Sequence, residues 1–413
     1  MLRRFCLYGF LKNQRYFEPF LVLVFLGKGL TFFEIGLLVG FREVLINLLE
    51  VPSGGMADLW GRRRAMILSF SAYIVAFLVF TWGIPLWTLF LAMAFYAVGE
   101  AFRSGTHKAM IFDWLAAQGR TDEKAAVYGT TRAWSQLGSA LSVLIAAGIV
   151  LADGNYGNVF LYSAIPYALG IVNFLGYPAA LDGAKATGGR ASVRELYSHL
   201  LGALRQCLRH SPLRRLLVES MLQRGTYTTV KDYLQPILEQ TALVLPVLLA
   251  LSGERRLAIL AGVLYCMLYL LSALASRRAH RVEARWGGPG PTAQGLWLSI
   301  LFAYGVLALA LGGIDLDAPV LGWHQAAAIA VFVALAVLQN LWKPLFLARI
   351  DRVSDADMGA TVLSVDGQMK TVFVAVAAPL LGLLVDHWGL VAVAWCGVVT
   401  AFWGWWGLRS TED

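Results

Sequence analysis

Hydrophobic runs of about twenty residues alternate with short polar segments along the whole chain, and a run of that length is enough to cross a bilayer as an α-helix. Residues 236–253 hold Pro236, Pro246 and Gly253 in an apolar stretch too short to span, so they are predicted to form an outside loop. The pattern predicts an all-α membrane protein with twelve transmembrane helices. The predicted spans are 4–26, 34–53, 65–83, 87–112, 127–152, 158–179, 213–236, 255–276, 292–313, 323–348, 359–384 and 390–408.

The composition agrees with membrane integration. Hydrophobic residues make up 58% of the chain and charged residues 15%, with a mean hydropathy of +0.63, whereas a soluble domain is about 45 to 50% apolar. The four cysteines are scattered and indicate packing residues rather than a metal site or a disulfide framework. The first apolar run is interrupted by Lys12, Arg15 and Glu18 with no small-residue cleavage site, so it is predicted to be a retained helix and not a signal peptide.

Basic residues are distributed unequally between the two sides of the predicted membrane. The loops on the side of the N-terminus hold 21 lysines and arginines, and those on the other side hold three: Lys28, Arg255 and Arg256. The positive-inside rule then places both termini in the cytoplasm of a multi-pass protein of the cell inner membrane. Membrane orientation explains the net charge of +8, so nucleic acid is not expected as a partner.

The chain divides near its middle. Residues 1–180 and 212–413 are predicted to form two six-helix bundles, joined by a cytoplasmic linker at 181–211. Within the linker, apolar residues recur at helical spacing between Val193 and Leu208, with Arg194, Arg205 and Arg209 opposite. This pattern predicts an amphipathic helix at the membrane surface; a partner-binding helix is the alternative.

Ten cations and seven anions fall inside the predicted spans. A charge facing lipid costs roughly 2.5 to 3.5 kcal/mol at the helix centre, so these side chains are expected to face a watery cavity or one another. The cations are Lys12, Arg15, Arg42, Arg103, Lys108, Arg132, Arg224, Lys231, Lys343 and Lys370, and the anions are Glu18, Glu43, Glu50, Glu100, Glu219, Asp232 and Asp366.

Helical spacing arranges these charges into polar stripes on otherwise apolar helices. The clearest stripe runs through Tyr96, Glu100, Arg103, Ser104 and His107 on the fourth span, and a solute-binding site is expected where such stripes meet. The predicted binding residues are Arg15, Glu43, Glu100, Arg103, His107, Arg132, Gln136, Arg224, Lys231, Asn340, Lys343 and Lys370.

Two interpretations of the buried charges remain open. The pairs Glu100 with Arg103, Glu43 with Arg42, and Asp366 with Lys370 are close enough in sequence to form purely structural ion pairs. The surplus of cations over anions favours instead a small anionic solute.

The segment between the second and third spans carries a recognisable motif. Gly54, Asp58, Gly61 and the basic run 62–64 have the spacing of the loop between the second and third helices of the major facilitator superfamily, and this loop closely resembles it. Residues 49–54, 99–108 and 361–364 resemble one bacterial branch of that superfamily, for which the resemblance assigns no substrate. The resemblance covers essentially the whole chain. A counterpart in the second half, between Ser276 and Gly287, keeps basic residues but lacks the aspartate.

The resemblance implies a major facilitator fold, alternating access between two halves, and an inner gate. The gate residues would be Asp58, Gly61 and Arg62, with Asp113 as the partner of the basic residue. One departure concerns drug and proton antiporters of the superfamily, in which a fourth-span arginine is followed four residues later by glycine. Here Arg103 is followed at that offset by His107, so the proton-relay assignment of those antiporters does not carry over.

These observations predict a secondary active transporter of a small polar, anionic solute, acting as a monomer without cofactor or metal. A glutamate in such a site can change its protonation near neutral pH, so Glu43, Glu50 and Glu100 are candidates for proton coupling, and His107 is a second candidate. The alternatives are a proton-driven multidrug exporter and a membrane receptor or scaffold with the same fold. No metal-ligand cluster, nucleophile elbow or phosphate-cradling loop in the sequence indicates an enzyme.

Overall fold

A computed structural model describes residues 1–182, 198, 202, 204–246, 249–313, 322–353 and 359–409. This part of the chain is helical, with short 3-10 turns between some of the helices. The helices are α1 Leu2–Leu11, α2 Leu21–Gly27, α3 Phe32–Trp60, α4 Arg62–Trp82, α5 Leu86–Arg103, α6 Thr106–Ala117, α7 Lys124–Asp153, α8 Val159–Leu175, α9 Ser211–Val230, α10 Leu234–Val244, α11 Gly253–Arg285, α12 Pro289–Leu311, α13 Trp323–Val353, α14 Gly359–Trp388 and α15 Val391–Arg409.

The predicted all-helical membrane architecture is confirmed in its coarse form. Within the described ranges, eight helical segments are both long enough and apolar enough to cross a membrane. Each predicted span coincides with one helix or with two consecutive helices. The count of twelve transmembrane helices remains a prediction.

The first predicted span is not one continuous helix. Helix α1 ends at Leu11, and α2 begins at Leu21 after a 3-10 turn at Glu18–Phe20. Between them the side-chain amides of Asn13 and Gln14 donate to the backbone carbonyls of Ser135 and Gly138 on α7, at 2.7 and 2.9 Å. These hydrogen bonds hold the non-helical segment against α7.

The predicted outside loop at 236–253 is wrong in its first half, because Leu234–Val244 forms helix α10. Pro236 is tolerated there because it lies in the first turn, where the backbone N–H has no partner within the helix. Most of this helix is buried, including Ile237 and Leu238. A proline early in an apolar stretch therefore marked a helix start and not a break.

The motif loop between the second and third spans is much shorter than the sequence predicts. Helix α3 continues through Pro52, Gly54 and Gly55 to Trp60, and α4 begins at Arg62. The turn is made by Gly61 alone, whose φ of +101° suits a residue without a Cβ. Gly54 and Gly55 lie within the helix, at a modest cost in helix propensity.

The structure divides into two compact units. Unit 1 comprises 1–20 and 41–198, and unit 2 comprises 21–40 and 199–413. The division at 180 and 212 remains a prediction. The amphipathic linker helix predicted around 193–208 falls largely outside the described residues.

Within unit 1, helices α1 and α7 approach very closely. A methyl group at Gly138 would lie 2.6 Å from the carbonyl oxygen of Phe10 and 3.0 Å from its Cα, and a methyl group at Gly9 would lie 2.8 Å from the carbonyl oxygen of Thr131. Small residues of this kind let helix backbones pack directly in a membrane. The α1–α7 contact positions the residues of the cavity described below.

Gly138→Ala is expected to destabilise the protein, because the added methyl would overlap backbone atoms that cannot move aside. Overpacking of this kind costs about 1 to 3 kcal/mol. The matched control is Gly148→Ala on the same helix, where a methyl would meet nothing within 4 Å and alanine favours the helix. Thermal unfolding of the purified variants should show a lower Tm for the first and an equal or higher Tm for the second. Equal values would show that the α1–α7 contact relaxes freely.

Candidate functional site

A cavity of about 370 Å³ lies in unit 1. Helix α1 contributes one side, α5 and α6 a second side, and α7 a third. Five of the twelve predicted binding residues line it. The lining residues are Tyr8, Gly9, Lys12, Glu100, Arg103, Ser104, Gly105, His107, Lys108, Tyr128, Thr131, Arg132, Ser135 and Gln136.

The stripe predicted on the fourth span crosses a break in the helix. Helix α5 ends at Arg103, Gly105 has a φ of +73°, and α6 begins at Thr106. Glu100 and Arg103 line the cavity from one side of the break and His107 from the other. The break therefore turns the polar residues of two short helices toward one space.

Glu100 is the centre of an ion network. Its carboxylate accepts hydrogen bonds from Arg103 and from the Tyr73 hydroxyl, and Arg15 donates to it at 3.3 Å. Arg103 also directs its Nε toward the Tyr73 hydroxyl at 3.4 Å. Two arginines and one hydroxyl on a single carboxylate stabilise its ionised form.

Arg15 is held by further contacts. It donates to Glu18 at 3.1 Å and to the Tyr167 hydroxyl at 3.4 Å, while Tyr167 donates to the backbone carbonyl of Lys12 at 3.0 Å. Arg15 therefore binds Glu100, which lines the cavity, but does not line the cavity itself.

His107 forms part of the wall of the cavity through an aromatic stack. Its ring lies 3.7 Å from the Tyr8 ring, centroid to centroid, and its Nε2 lies 3.3 Å from the Tyr177 hydroxyl. The ring is buried. The ammonium of Lys12 lies 5.4 Å from the Tyr8 centroid, within cation–π range.

The charges of the cavity do not balance. Its lining contains four cations, Lys12, Arg103, Lys108 and Arg132, and a single carboxylate, Glu100. That carboxylate is already bound by Arg103 and Arg15. In the described part of the chain, no carboxylate lies within 4 Å of Lys12, Lys108 or Arg132. The cavity therefore presents a net positive surface.

The other two glutamates that are candidates for proton coupling differ in their partners. Glu43 is buried and bound by Arg42 at 2.9 Å, as sequence proximity suggested. Glu50 is exposed and accepts a hydrogen bond at 2.8 Å from the hydroxyl of Ser104, a residue of the cavity lining. Glu50 therefore reaches the cavity through Ser104, whereas Glu43 does not line it.

Besides Arg15 and Glu43, five predicted binding residues do not line the cavity, and these five belong to unit 2. Arg224 forms an ion pair with Asp366, whose side chain is only 2% exposed. Lys231 lies 3.3 Å from Asp232, and the amide of Asn340 donates to the carbonyl of Ala336 in its own helix at 2.8 Å. Lys343 is exposed on α13 and Lys370 is half-buried on α14.

The residues of the predicted gate are in contact within unit 1. Arg62 lies 3.0 Å from Asp58 and forms a second ion pair with Asp113 on α6. Asp182 accepts a hydrogen bond from the backbone N–H of Arg63 at 2.9 Å, and a methyl at Gly61 would lie 2.9 Å from its Cγ.

Sequence reasoning missed several residues of these networks. Tyr73 and Tyr167 supply hydroxyls to Glu100 and Arg15, yet hydropathy treats them as apolar positions of their helices. Lys12 and Lys108 are among the cations inside the predicted spans but not among the predicted binding residues. Asp182 was not predicted to contact the gate. The positive φ of Gly61, which lies beside Asp182, cannot be recognised in the sequence except by the presence of a glycine.

The sequence model of the Major Facilitator Superfamily matches residues 13–372. No curated protein matched the chain. The fold is similar to that of a variant of the nucleoside transporter NupG, with a TM-score of 0.76 at 11% identity and 100% of each chain covered.

The fold is also similar to that of two further solved transporters. One is a POT family transporter in complex with 5-aminolevulinic acid, with a TM-score of 0.69 at 16% identity, covering 100% of this chain and 93% of that one. The other is the peptide transporter POT in complex with sulfate, with a TM-score of 0.70 at 13% identity, covering 100% of this chain and 94% of that one. At such low identity, these similarities show the fold alone.

Proposed function

The chain belongs to the Major Facilitator Superfamily, and on that premise we propose that it is a secondary active transporter that moves a small anionic solute across the cell membrane by alternating access. The observation that carries the proposal is the charge of the unit 1 cavity. Four lining cations face one carboxylate, and that carboxylate is bound by two arginines. A bound anion would offset part of the charge of the remaining three cations.

The residue types of the cavity fit a carboxylate or a phosphate. Arginine binds either group through parallel charge-assisted hydrogen bonds, and lysine contributes a point charge. Thr131, Ser135 and Gln136 add neutral hydrogen-bonding groups along α7. An amphipathic drug would need a mainly apolar pocket, so this cavity argues against the multidrug exporter.

Ligand screening tests the proposal. The purified protein should gain thermal stability from compounds within a panel of carboxylates and sugar phosphates, and not from the neutral amides or amines of the same size. Compounds that stabilise it should then be taken up or released by proteoliposomes. Arg132→Gln should lower the affinity for such a compound at least tenfold, since a charge-assisted hydrogen bond contributes about 1.5 to 3 kcal/mol.

The matched control is Arg281→Gln, an exposed arginine on α11 that does not line the cavity. Transport of a neutral or cationic compound that is unaffected by Arg132→Gln would contradict the anion proposal. Transport of lipophilic cations driven by protons would identify a drug exporter. Ligand binding without any flux would identify a receptor.

We also propose that both chain termini face the cytoplasm, because 21 basic residues lie on their side and three on the other. Single cysteines at Asp153 and Arg281, both exposed, should label from opposite sides of intact cells. A membrane-impermeant maleimide should reach the cysteine at 153 and reach that at 281 only after permeabilisation. Labelling of both from outside would show that the span count is wrong.

Proton coupling is proposed to use Glu50 among the three candidate glutamates. Protonation of Glu100 or Glu43 would break an ion pair with an arginine, whereas no cation lies within 4 Å of Glu50 in the described structure and its partner is the Ser104 hydroxyl. A proton can therefore bind Glu50 without stranding a positive charge.

Glu50→Gln is expected to leave solute binding intact and to remove the dependence of transport on a pH gradient. Counterflow of labelled solute, which needs no gradient, should continue, while gradient-driven accumulation should stop. Glu100→Gln serves as the contrast and should impair both. If Glu50→Gln still accumulates solute against a concentration gradient in response to pH, the coupling site lies elsewhere.

A further inference from the structure

A larger cavity, of about 560 Å³, lies at one end of unit 2, where helices α9 and α12 begin and α13 and α15 end. Four arginines and one glutamate line it, together with apolar side chains. The charged residues are Arg214, Arg215, Arg349, Arg352 and Glu219, and the apolar ones include Leu216, Leu222 and Trp403.

The single carboxylate of this cavity is already neutralised. Glu219 is buried, accepts a hydrogen bond from Arg349 at 2.8 Å and accepts another from the indole N–H of Trp297 at 3.0 Å. Arg352 is 64% exposed, and its carboxylate partner, Glu283, lies 3.8 Å away. Arg214 and Arg215 have no carboxylate within 4 Å in the described structure. Arg214 and Arg215 are therefore available to an anion, and Arg352, paired at 3.8 Å, keeps further N–H groups that could bind one.

An apolar groove lies next to this cavity along helices α9 and α15, which line both. It has a volume of about 390 Å³ and is lined by α9, α14 and α15, including Thr226, Phe373 and Thr400. Leu222 of the basic cavity lies one turn from Thr226, and Trp403 lies one turn from Thr400, which is about 5 Å along each helix. A cationic cleft is thus followed along α9 and α15 by an apolar groove.

We propose that this pair of cavities binds an anionic phospholipid, with the phosphate headgroup among Arg214, Arg215 and Arg352 and an acyl chain along the apolar groove. The arginines belong to the side of the protein that the positive-inside rule places in the cytoplasm, where the leaflet carries anionic lipid. Basic pockets between transmembrane helices on that side bind such headgroups. A soluble anion would use the arginines but not the groove, whereas a phospholipid uses both.

The proposal is tested by lipid binding to the purified full-length protein. Phosphatidylglycerol and phosphatidylcholine with identical acyl chains are added separately to delipidated protein in detergent, and binding is measured by native mass spectrometry and thermal shift. Glycerol 3-phosphate is the arm that tests a free phosphate. Phosphatidylglycerol should bind and stabilise, and the other two should do so far less.

Arg214→Gln with Arg215→Gln should weaken phosphatidylglycerol binding roughly twenty-five-fold, because each basic side chain near an anionic headgroup contributes a factor of about five. Arg352→Gln alone, at a largely exposed position, should weaken it about fivefold. Ala377→Phe, placed in the apolar groove, should reduce binding with all arginines intact. The control is Arg278→Gln with Arg281→Gln on α11, which line neither cavity.

Equal binding of the two phospholipids, or full phosphatidylglycerol binding by the double arginine variant, would overturn the proposal. Equal stabilisation by glycerol 3-phosphate would assign the cleft to a soluble phosphate and also overturn it. Loss of binding in the Arg278 and Arg281 control would attribute the effect to net charge and not to this site.

Discussion

Arg103→Lys is expected to lower transport at least tenfold while the protein reaches the membrane in normal amounts. The guanidinium of Arg103 uses separate N–H groups to bind the Glu100 carboxylate and to approach the Tyr73 hydroxyl at 3.4 Å. A lysine keeps the charge but not this planar fork. Loss of one charge-assisted hydrogen bond, worth about 1.5 to 3 kcal/mol, is enough for a tenfold effect. Initial uptake rates per amount of folded transporter measure it.

Arg224→Lys is the corresponding change in unit 2 and should also impair transport beyond what the preserved charge suggests. The two sites should differ when the arginine is removed altogether. Arg224→Ala leaves Asp366, which is 2% exposed, without its ion-pair partner, and breaking a buried pair costs roughly 3 to 5 kcal/mol. Arg103→Ala should destabilise less, because Glu100 keeps Arg15 at 3.3 Å.

Matched controls separate charge from geometry at both sites. Arg278→Lys and Arg281→Lys on α11 should transport at wild-type rates. A double variant, Arg103→Ala with Glu100→Ala, should recover part of the stability lost in Arg103→Ala but none of its transport. Wild-type transport of a neutral or cationic compound by both arginine-to-lysine variants would make these residues structural and would contradict an anionic cargo.

The location of the helices could be predicted from sequence because lipid-facing positions must be apolar over a fixed length. The polar stripes indicated which side of each helix faces away from lipid, because a charge is excluded from the lipid-facing side. Glu100, Arg103, His107, Arg132 and Gln136 all line one cavity. The match of residues 13–372 to the superfamily confirms the family that the motif at 54–64 indicated.

The breaks within helices could not be predicted, because hydropathy averages over a window and does not register backbone geometry. The break before Thr106 depends on the positive φ of Gly105, and glycines at 54 and 55 looked equally able to turn but remain helical. Tyrosine posed a similar difficulty. Tyr73 packs among aromatic rings like its neighbour Phe77, and only the position of its hydroxyl beside Glu100 gives it a role.

The contacts of the motif at 54–64 also differ in energy from what the resemblance suggested. In a gate with buried ion pairs, loss of one partner would strand a charge at a cost of roughly 3 to 5 kcal/mol. In the structure the side chains of Asp58 and Asp113 are 55% and 51% exposed, and only Arg62 is shielded, at 17%. Ion pairs with exposed carboxylates contribute about 0 to 1 kcal/mol, so we expect their loss to change the Tm very little.

Arg62→Ala should nevertheless reduce transport more than tenfold, and Asp58→Asn should impair it in the same direction. An alternating-access protein exchanges between states of similar free energy, and contacts made in only one state set their populations. Arg62 makes both ion pairs, with Asp58 and with Asp113, so alanine removes the two together. Uptake rates and thermal unfolding measured on the same preparations should show a large loss of transport beside a nearly unchanged Tm.

Arg64→Ala is the matched control, because Arg64 is an exposed arginine two positions further along the same helix with no carboxylate within 4 Å in the described part of the chain. It should transport normally. If the Arg62 variant instead unfolds at a much lower temperature, the ion pairs hold the fold and not a conformational state. Normal transport by both Arg62→Ala and Asp58→Asn would remove the motif from the transport cycle, since a contact that two states share equally cannot shift the balance between them.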